Sequence, residues 1–227
     1  YTAQLDNPIK GLRIGVLREL NNDGVDPEVA KLLTDAVDVL RSLGAEVKEV
    51  SVPMMNFGGD LYMMLGFLEA YTVHARTLRA KPEGFAQLLR AWLRARALVP
   101  AALEKDVLSA RSLLRRELLD TFRSFDLLLS PTTNTPAPIS QGHITNKPMT
   151  HEMEAAVSGW VNYCAGYAMA AMPPISVPCG FTAAEKPLPV GMQLGGPPHS
   201  EGRLLQVAHA YQQATNWHTT RAPGSQQ

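Results

Sequence analysis

The 227-residue chain is 45% hydrophobic and 19% charged, and its 21 Lys plus Arg balance 21 Asp plus Glu for a formal net charge of zero. That is globular composition, sufficient for one sizeable core, and it lacks the basic surplus of a nucleic-acid footprint. No run of about 18 apolar residues could span a membrane, and residues 1–20 lack the basic-then-apolar layout of a signal peptide; the expected compartment is the cytoplasm.

The chain opens on Tyr1 rather than methionine, so processing or a preceding segment is expected. Residues 12–17 (LRIGVL) read as a short buried strand. Asp26-Pro27-Glu28 then opens a helix: the Asp26 carboxylate can cap free N–H groups, Pro27 suits the first helical position, and Glu28 favours the positive end. Val29, Leu32, Leu33, Ala36, Val37, Leu40 and Leu43 form one apolar stripe, and Gly44 is placed for a left-handed cap. Residues 45–52 alternate as a second strand ended by Pro53. Strand, helix and strand in this order predict a right-handed βαβ unit with parallel strands.

Residues 54–125 read as mostly helical, with helices near 61–78, 85–98 and 101–125, punctuated by Pro82 and Pro100. Residues 126–130 (DLLLS) are a buried strand. Residues 131–148 form a loop rich in proline and threonine, and loops of that length are often functional. A helix near 149–172 follows. Two strands come next, at 175–179, interrupted by Pro178 as befits a strand end or edge, and at 190–194. A last helix is capped by Ser200 and carries Leu204, Leu205, Ala208 and Tyr211 on one side. The alternation predicts an α/β fold: a three-layer sandwich with a mixed, mainly parallel sheet of five or at most six strands flanked by helices.

The sequence holds few recognisable catalytic patterns. GLRIG is not a dinucleotide loop, no phosphate-binding GxxxxGK[ST] or GxSxG elbow occurs, and His151-Glu152 lacks the second histidine of a zinc helix because Ala155 stands there. Cys164 and Cys179 form no metal spacing and read as two buried, reduced thiols; no metal or cofactor is expected. Ser130 and Ser176 read as satisfied core hydroxyls. Arg111 stands out, because it falls on or beside the apolar stripe Leu103, Val107, Ala110, Leu114, Leu118, Phe122 and Phe125. Two readings are open for it. It can make an ion pair, a helix-end contact or a snorkelling contact at the stripe's edge, or it can hold a substrate carboxylate or carbonyl in its planar fork.

Several segments together resemble the amidase-signature family. They are GLRIGVL at 11–17 with the helix start at 25–29, FDLLLSPT at 125–132, PPISVPCGF at 173–181, LPVGMQL at 188–194, and the final helix running to His218. The resemblance implies the C-terminal portion of a single amidase domain over residues 1–227, with 218–227 a loose tail. The family hydrolyses amides with a Ser–cis-Ser–Lys triad in its N-terminal half, so no catalytic residue is expected in this chain. The expected ligand is a small-molecule amide bound when the catalytic half is present, with a homo-oligomer as a possible state. Arg111 matches the helix arginine that contacts a substrate α-carboxylate in amidotransferase members, and Pro131 and Thr132 match the loop near the pocket. Two departures leave the amide open. Val161 stands where amidotransferases carry an aspartate, and Ala168-Met169-Ala170-Ala171 stands where they read Asn-Leu-Ala-Gly. The alternative function is a non-catalytic ligand- or partner-binding module derived from such an enzyme.

Overall fold

The computed structural model describes residues 2–138 and 151–220, and for 101 and 151–158 the backbone only. The second part of the expected 131–148 loop (139–148), the first two residues of the helix expected near 149–172, and the end of the expected tail, 221–227, lie outside the described residues. Among the described residues, five strands form one sheet: β1 (Arg13–Leu17), β2 (Glu46–Val50), β3 (Leu127–Pro131), β4 (Pro174–Phe181) and β5 (Pro189–Gly195), in the order β2-β1-β3-β5-β4. β1 pairs in parallel with β2 and β3, while β5 runs antiparallel to both β3 and β4. Four strands therefore share one direction and β5 opposes them, which is the mixed sheet expected.

The helix joining β1 to β2 forms as its sequence dictates. In α1 (Pro27–Ser42), the Asp26 carboxylate accepts the Glu28 amide at 2.8 Å. At its end Gly44 takes φ +91°, while the Ala45 amide reaches the Leu40 carbonyl and the Gly44 amide that of Arg41. This paired closure needs a left-handed residue, which glycine adopts without a Cβ penalty. Val29, Leu33, Ala36, Val37 and Leu40 are buried. Each of these valine and leucine side chains contributes about 1.5–3 kcal/mol through lost apolar exposure.

α1 and α6 (Glu201–Ala214) pack on one face of the sheet. On the other lies α5 (His151–Ala170), backed by α2 (Gly58–Ala80) and α4 (Ala101–Thr121), with α3 (Gln87–Arg96) against α2. The core runs through both faces, with Ile14, Leu127, Leu128, Leu129, Met192 and Leu194 wholly buried at the sheet centre.

Several expectations change. Pro131 belongs to β3, opposite Met192, rather than opening the loop. β1 covers β3 only as far as Leu129, so the missing proline N–H faces no strand there. Pro178 lies in the edge strand β4, beside a register shift between Pro178 and Gly180. Leu103 is exposed, because the stripe of α4 is buried only from Val107 onward, where the helix meets α2 and α5. Ser200 precedes α6 but does not cap it: its ψ of 12° is not the extended geometry of a capping residue, and its hydroxyl bonds to none of the described residues. Residues Trp217–Thr219 make a single 3-10 turn, with the Trp217 ring 6.1 Å from that of Phe181, where the sequence reading placed the start of a loose tail.

Candidate active-site wall

The face of the sheet turned toward α5 carries a row of polar side chains where β3, β5 and β4 meet. Ser130, Gln193 and Ser176 lie in register across the three strands. Gln193 is buried and donates its Nε2 to the Tyr163 carbonyl of α5 at 3.0 Å and to the Ser130 hydroxyl at 3.4 Å. A buried amide left without partners costs roughly 1–3 kcal/mol, so these bonds fix its orientation. Ser130 is the buried core hydroxyl expected. Ser176 is not: β4 reaches past the cover of α5, and Ser176 is exposed.

One step along the strands, Thr132 Oγ1 and Ser176 Oγ stand 2.7 Å apart across β5. Between them is Gly191, where a Cβ would lie 2.8 Å from each oxygen, so the hydroxyl pair depends on a residue without a side chain at this position. The pair opens into a cavity of about 310 Å³ walled by Thr135, Pro136, Pro138, Trp160 and Pro189. The Trp160 Nε1 donates to Thr135 Oγ1 at 3.0 Å, which sets the plane of the indole. The Thr133 hydroxyl is spent on the Thr135 carbonyl at 2.8 Å. A hydroxyl carries one proton and two acceptor sites. One proton is used within the Thr132–Ser176 pair, so the second proton of that pair and the proton of Thr135 remain to donate. None of the described lining residues is ionisable. Such a wall can hold a neutral carbonyl or amide but contains no base to activate a nucleophile.

Arg111 lies elsewhere. Its Nε donates to the Met169 carbonyl at 2.7 Å, and Arg115 donates to the Ala170 carbonyl and, at 3.2 Å, to that of Ala171. Two guanidinium groups thus meet the negative end of α5, a favourable placement for cations. The same end closes with Ala171 at φ +51°, the Met172 amide reaching Tyr167 and the Ala171 amide reaching Ala168. Pro131 and Thr132 are brought to the pocket or its margin. Arg111 bonds to a carbonyl nine residues beyond Trp160 on α5, roughly 13 Å along the helix axis. Its Nη atoms have no hydrogen bond among the described residues.

A larger cavity of about 520 Å³ lies beside Phe125, Asp126, His199 and Arg203. Its charges are committed to each other: Asp126 accepts from the Arg13 amide at 2.8 Å, the Arg13 guanidinium at 3.1 and 3.2 Å, and Arg203 at 3.2 Å. Partial burial opposes ionisation of Asp126, yet the bonds from Arg13 outweigh it and hold the carboxyl below its usual range. The cluster ties the start of β1 to β3 and α6. It is a structural junction.

One of the two thiols differs from expectation. Cys179 is buried, and burial pushes its pKa up to about 12. Cys164 is exposed, at the open end of β3 rather than over the sheet centre. Its sulfur still donates to the Thr132 carbonyl at 3.1 Å, and enclosure raises that thiol too. Among the described residues, no group of three His, Cys, Asp or Glu side chains could hold a metal ion, and no helix is long and apolar enough to cross a membrane. Ser176, Trp160 and Gly191 gave no functional signal in the sequence. Their roles arise from the β4–β5 pairing and from α5 lying beside β3, neither of which leaves a local signature.

The amidase family profile matches residues 1–205. The chain is 36% identical over 247 residues to a glutamyl-tRNA(Gln) amidotransferase subunit of Pseudomonas savastanoi pv. phaseolicola, an alignment covering 98% of this chain and 49% of that protein. The corresponding subunit from Carboxydothermus hydrogenoformans is 35% identical, covering 97% and 48%. Among solved structures, an amidase superposes with a TM-score of 0.74 at 27% identity, over 90% of this chain and 46% of that one. 6-Aminohexanoate cyclic dimer hydrolase complexed with substrate reaches 0.79 at 20% identity, over 96% and 48%, a likeness of fold. The chain spans about half the length of the curated relatives it matches.

Proposed function

The chain belongs to the amidase family, and from that membership we propose that it forms the C-terminal part of an amide C–N hydrolase, supplying scaffold and one wall of the substrate pocket. The reaction adds water across an amide to give a carboxylic acid and an amine. The nucleophile and its base, the Ser–Ser–Lys set that the family resemblance implies, come from the portion of the enzyme this chain does not span. The observation that carries the reading is the Thr132–Ser176 hydroxyl pair. It opens into a cavity with donors for a neutral amide and no described ionisable group to attack one. Pro131 ends the strand that delivers Thr132 to the pocket.

Arg111 contributes through α5, whose last turn it holds while Trp160, midway along that helix, lines the cavity. Its Nη atoms, which bond to none of the described residues, also leave room for the direct contact to a substrate carboxylate implied by the amidotransferase resemblance. A selective rise in KM for carboxylate-bearing amides in Arg111→Ala would mark that second role. The proposed pocket role is tested in the complete enzyme with Thr132→Val and Ser176→Ala. Each removes one hydroxyl from the pair and should lower kcat/KM for an amide about ten-fold, the equivalent of one hydrogen bond of about 1.4 kcal/mol. Unchanged kinetics in both variants would place the substrate elsewhere.

A further inference from the structure

We infer that the pocket wall carried by this chain selects amides whose acyl or amine group is neutral and apolar, with Trp160 as the specificity-determining residue. The inference rests on the pocket assignment just proposed and adds the class of substrate. Three observations carry it. First, the described lining consists of prolines, threonines, one serine, one alanine, one glycine and one tryptophan, so it contains no counter-ion for an α-amino or α-carboxylate group. Moving such a charged group from water into a pocket without a partner is strongly unfavourable. Second, the Trp160 indole is held by its bond to Thr135 and lines the cavity together with Pro136, Pro138 and Pro189. A fixed aromatic ring and rigid proline rings offer apolar contact at little ordering cost. Third, the polar capacity left over is hydroxyl protons, which suit a carbonyl oxygen and do not discriminate in favour of an anion.

The geometry divides the labour at this wall. The Thr132–Ser176 pair and Thr135 meet the amide oxygen, and the face formed by Trp160 and the prolines meets the adjoining aryl or alkyl group. Truncating the indole should weaken binding of the apolar group more than it alters the chemical step. Phenylalanine keeps the aromatic contact and loses only the bond to Thr135.

The test uses the complete enzyme and a panel of 4-nitroacetanilide, benzamide, L-glutamine and L-asparagine. The expected result is a kcat/KM for the neutral aryl amides at least ten-fold above that for the two amino-acid amides. Trp160→Ala should raise KM for 4-nitroacetanilide several-fold with kcat little changed, and Trp160→Phe should restore most of it. Preference for glutamine or asparagine by the wild-type enzyme overturns the inference and leaves the amidase assignment standing. Failure to hydrolyse any amide overturns both. A Trp160→Ala enzyme that folds but shows an unchanged KM for the anilide overturns the role of Trp160.

Discussion

Arg111 donates its Nε to the carbonyl of Met169, tying α4 to the last turn of α5 at 2.7 Å. With Arg115 on the neighbouring carbonyls, this turns a helix end with too few amide partners into a bonded junction. Arg111→Ala should therefore destabilise the protein by about 1–2 kcal/mol, the scale of a charge-assisted bond to a helix terminus. Urea unfolding measures this directly. A lysine at 111 should recover part of the loss. If Arg111 instead contacts a substrate carboxylate, the variant will raise KM for carboxylate-bearing amides selectively, with KM for neutral amides unchanged.

Ala171 holds a left-handed conformation that costs a residue with a Cβ roughly 1 kcal/mol. Ala171→Gly should relieve that strain, in part offset by the greater freedom of glycine in the unfolded chain. The net expectation is a rise in Tm of about 1–3 °C. A fall would mean that the closing turn of α5 is held by its arginines in a way that makes its own backbone preference irrelevant.

The Tyr167 ring packs onto β5 at Gly195, where a Cβ would lie 2.2 Å from two ring carbons. Its hydroxyl is fully buried and bonds to none of the described residues, and burial drives its pKa well above that of an ordinary tyrosine. A buried hydroxyl without a partner costs free energy, so Tyr167→Phe should be neutral or stabilising by up to about 1 kcal/mol. Gly195→Ala should instead force the ring aside and destabilise by about 1–3 kcal/mol, the range for overpacking. Calorimetric melting of both variants checks the pair of signs.

Much of the scaffold was legible because its signals are local. The Asp26 cap, the α1 stripe and the Gly44 closure sit within one stretch of sequence, and each formed as expected. The pocket was not legible in this way. Ser176 looked like any apolar-flanked strand serine, and only the placement of β4 beyond the cover of α5 exposes it beside Thr132. Pro131 looked like a loop opener because sequence does not show that β1 stops short at Leu129. Arg111 was visible as an anomaly on an apolar stripe, and the helix-end contact was one of its two open readings. What the sequence could not show was which helix end it meets.

Asp126 makes the stability dependent on pH. Its folded carboxyl titrates below the usual range because Arg13 holds the ionised form. Its contribution is therefore complete above the ordinary carboxylate pKa of about 4 and is lost as pH falls through the lower folded value. Asp126 and its partners are partly exposed, so solvent screens much of the attraction. Asp126→Asn should lower Tm by about 2–4 °C at pH 7, with the gap between variant and wild type narrowing below about pH 4. A gap that does not change with pH would assign the role of Asp126 to shape rather than charge.

The most direct test of the amidase assignment is reconstitution. The 227-residue chain is mixed with a separately produced polypeptide carrying the rest of the amidase domain, and hydrolysis of a neutral amide is followed as the ratio is varied. No turnover is expected from either piece alone, and activity of the mixture is expected to saturate at equimolar ratio. Turnover by this chain without the second piece, or a folded equimolar complex that hydrolyses no amide, would contradict the assignment.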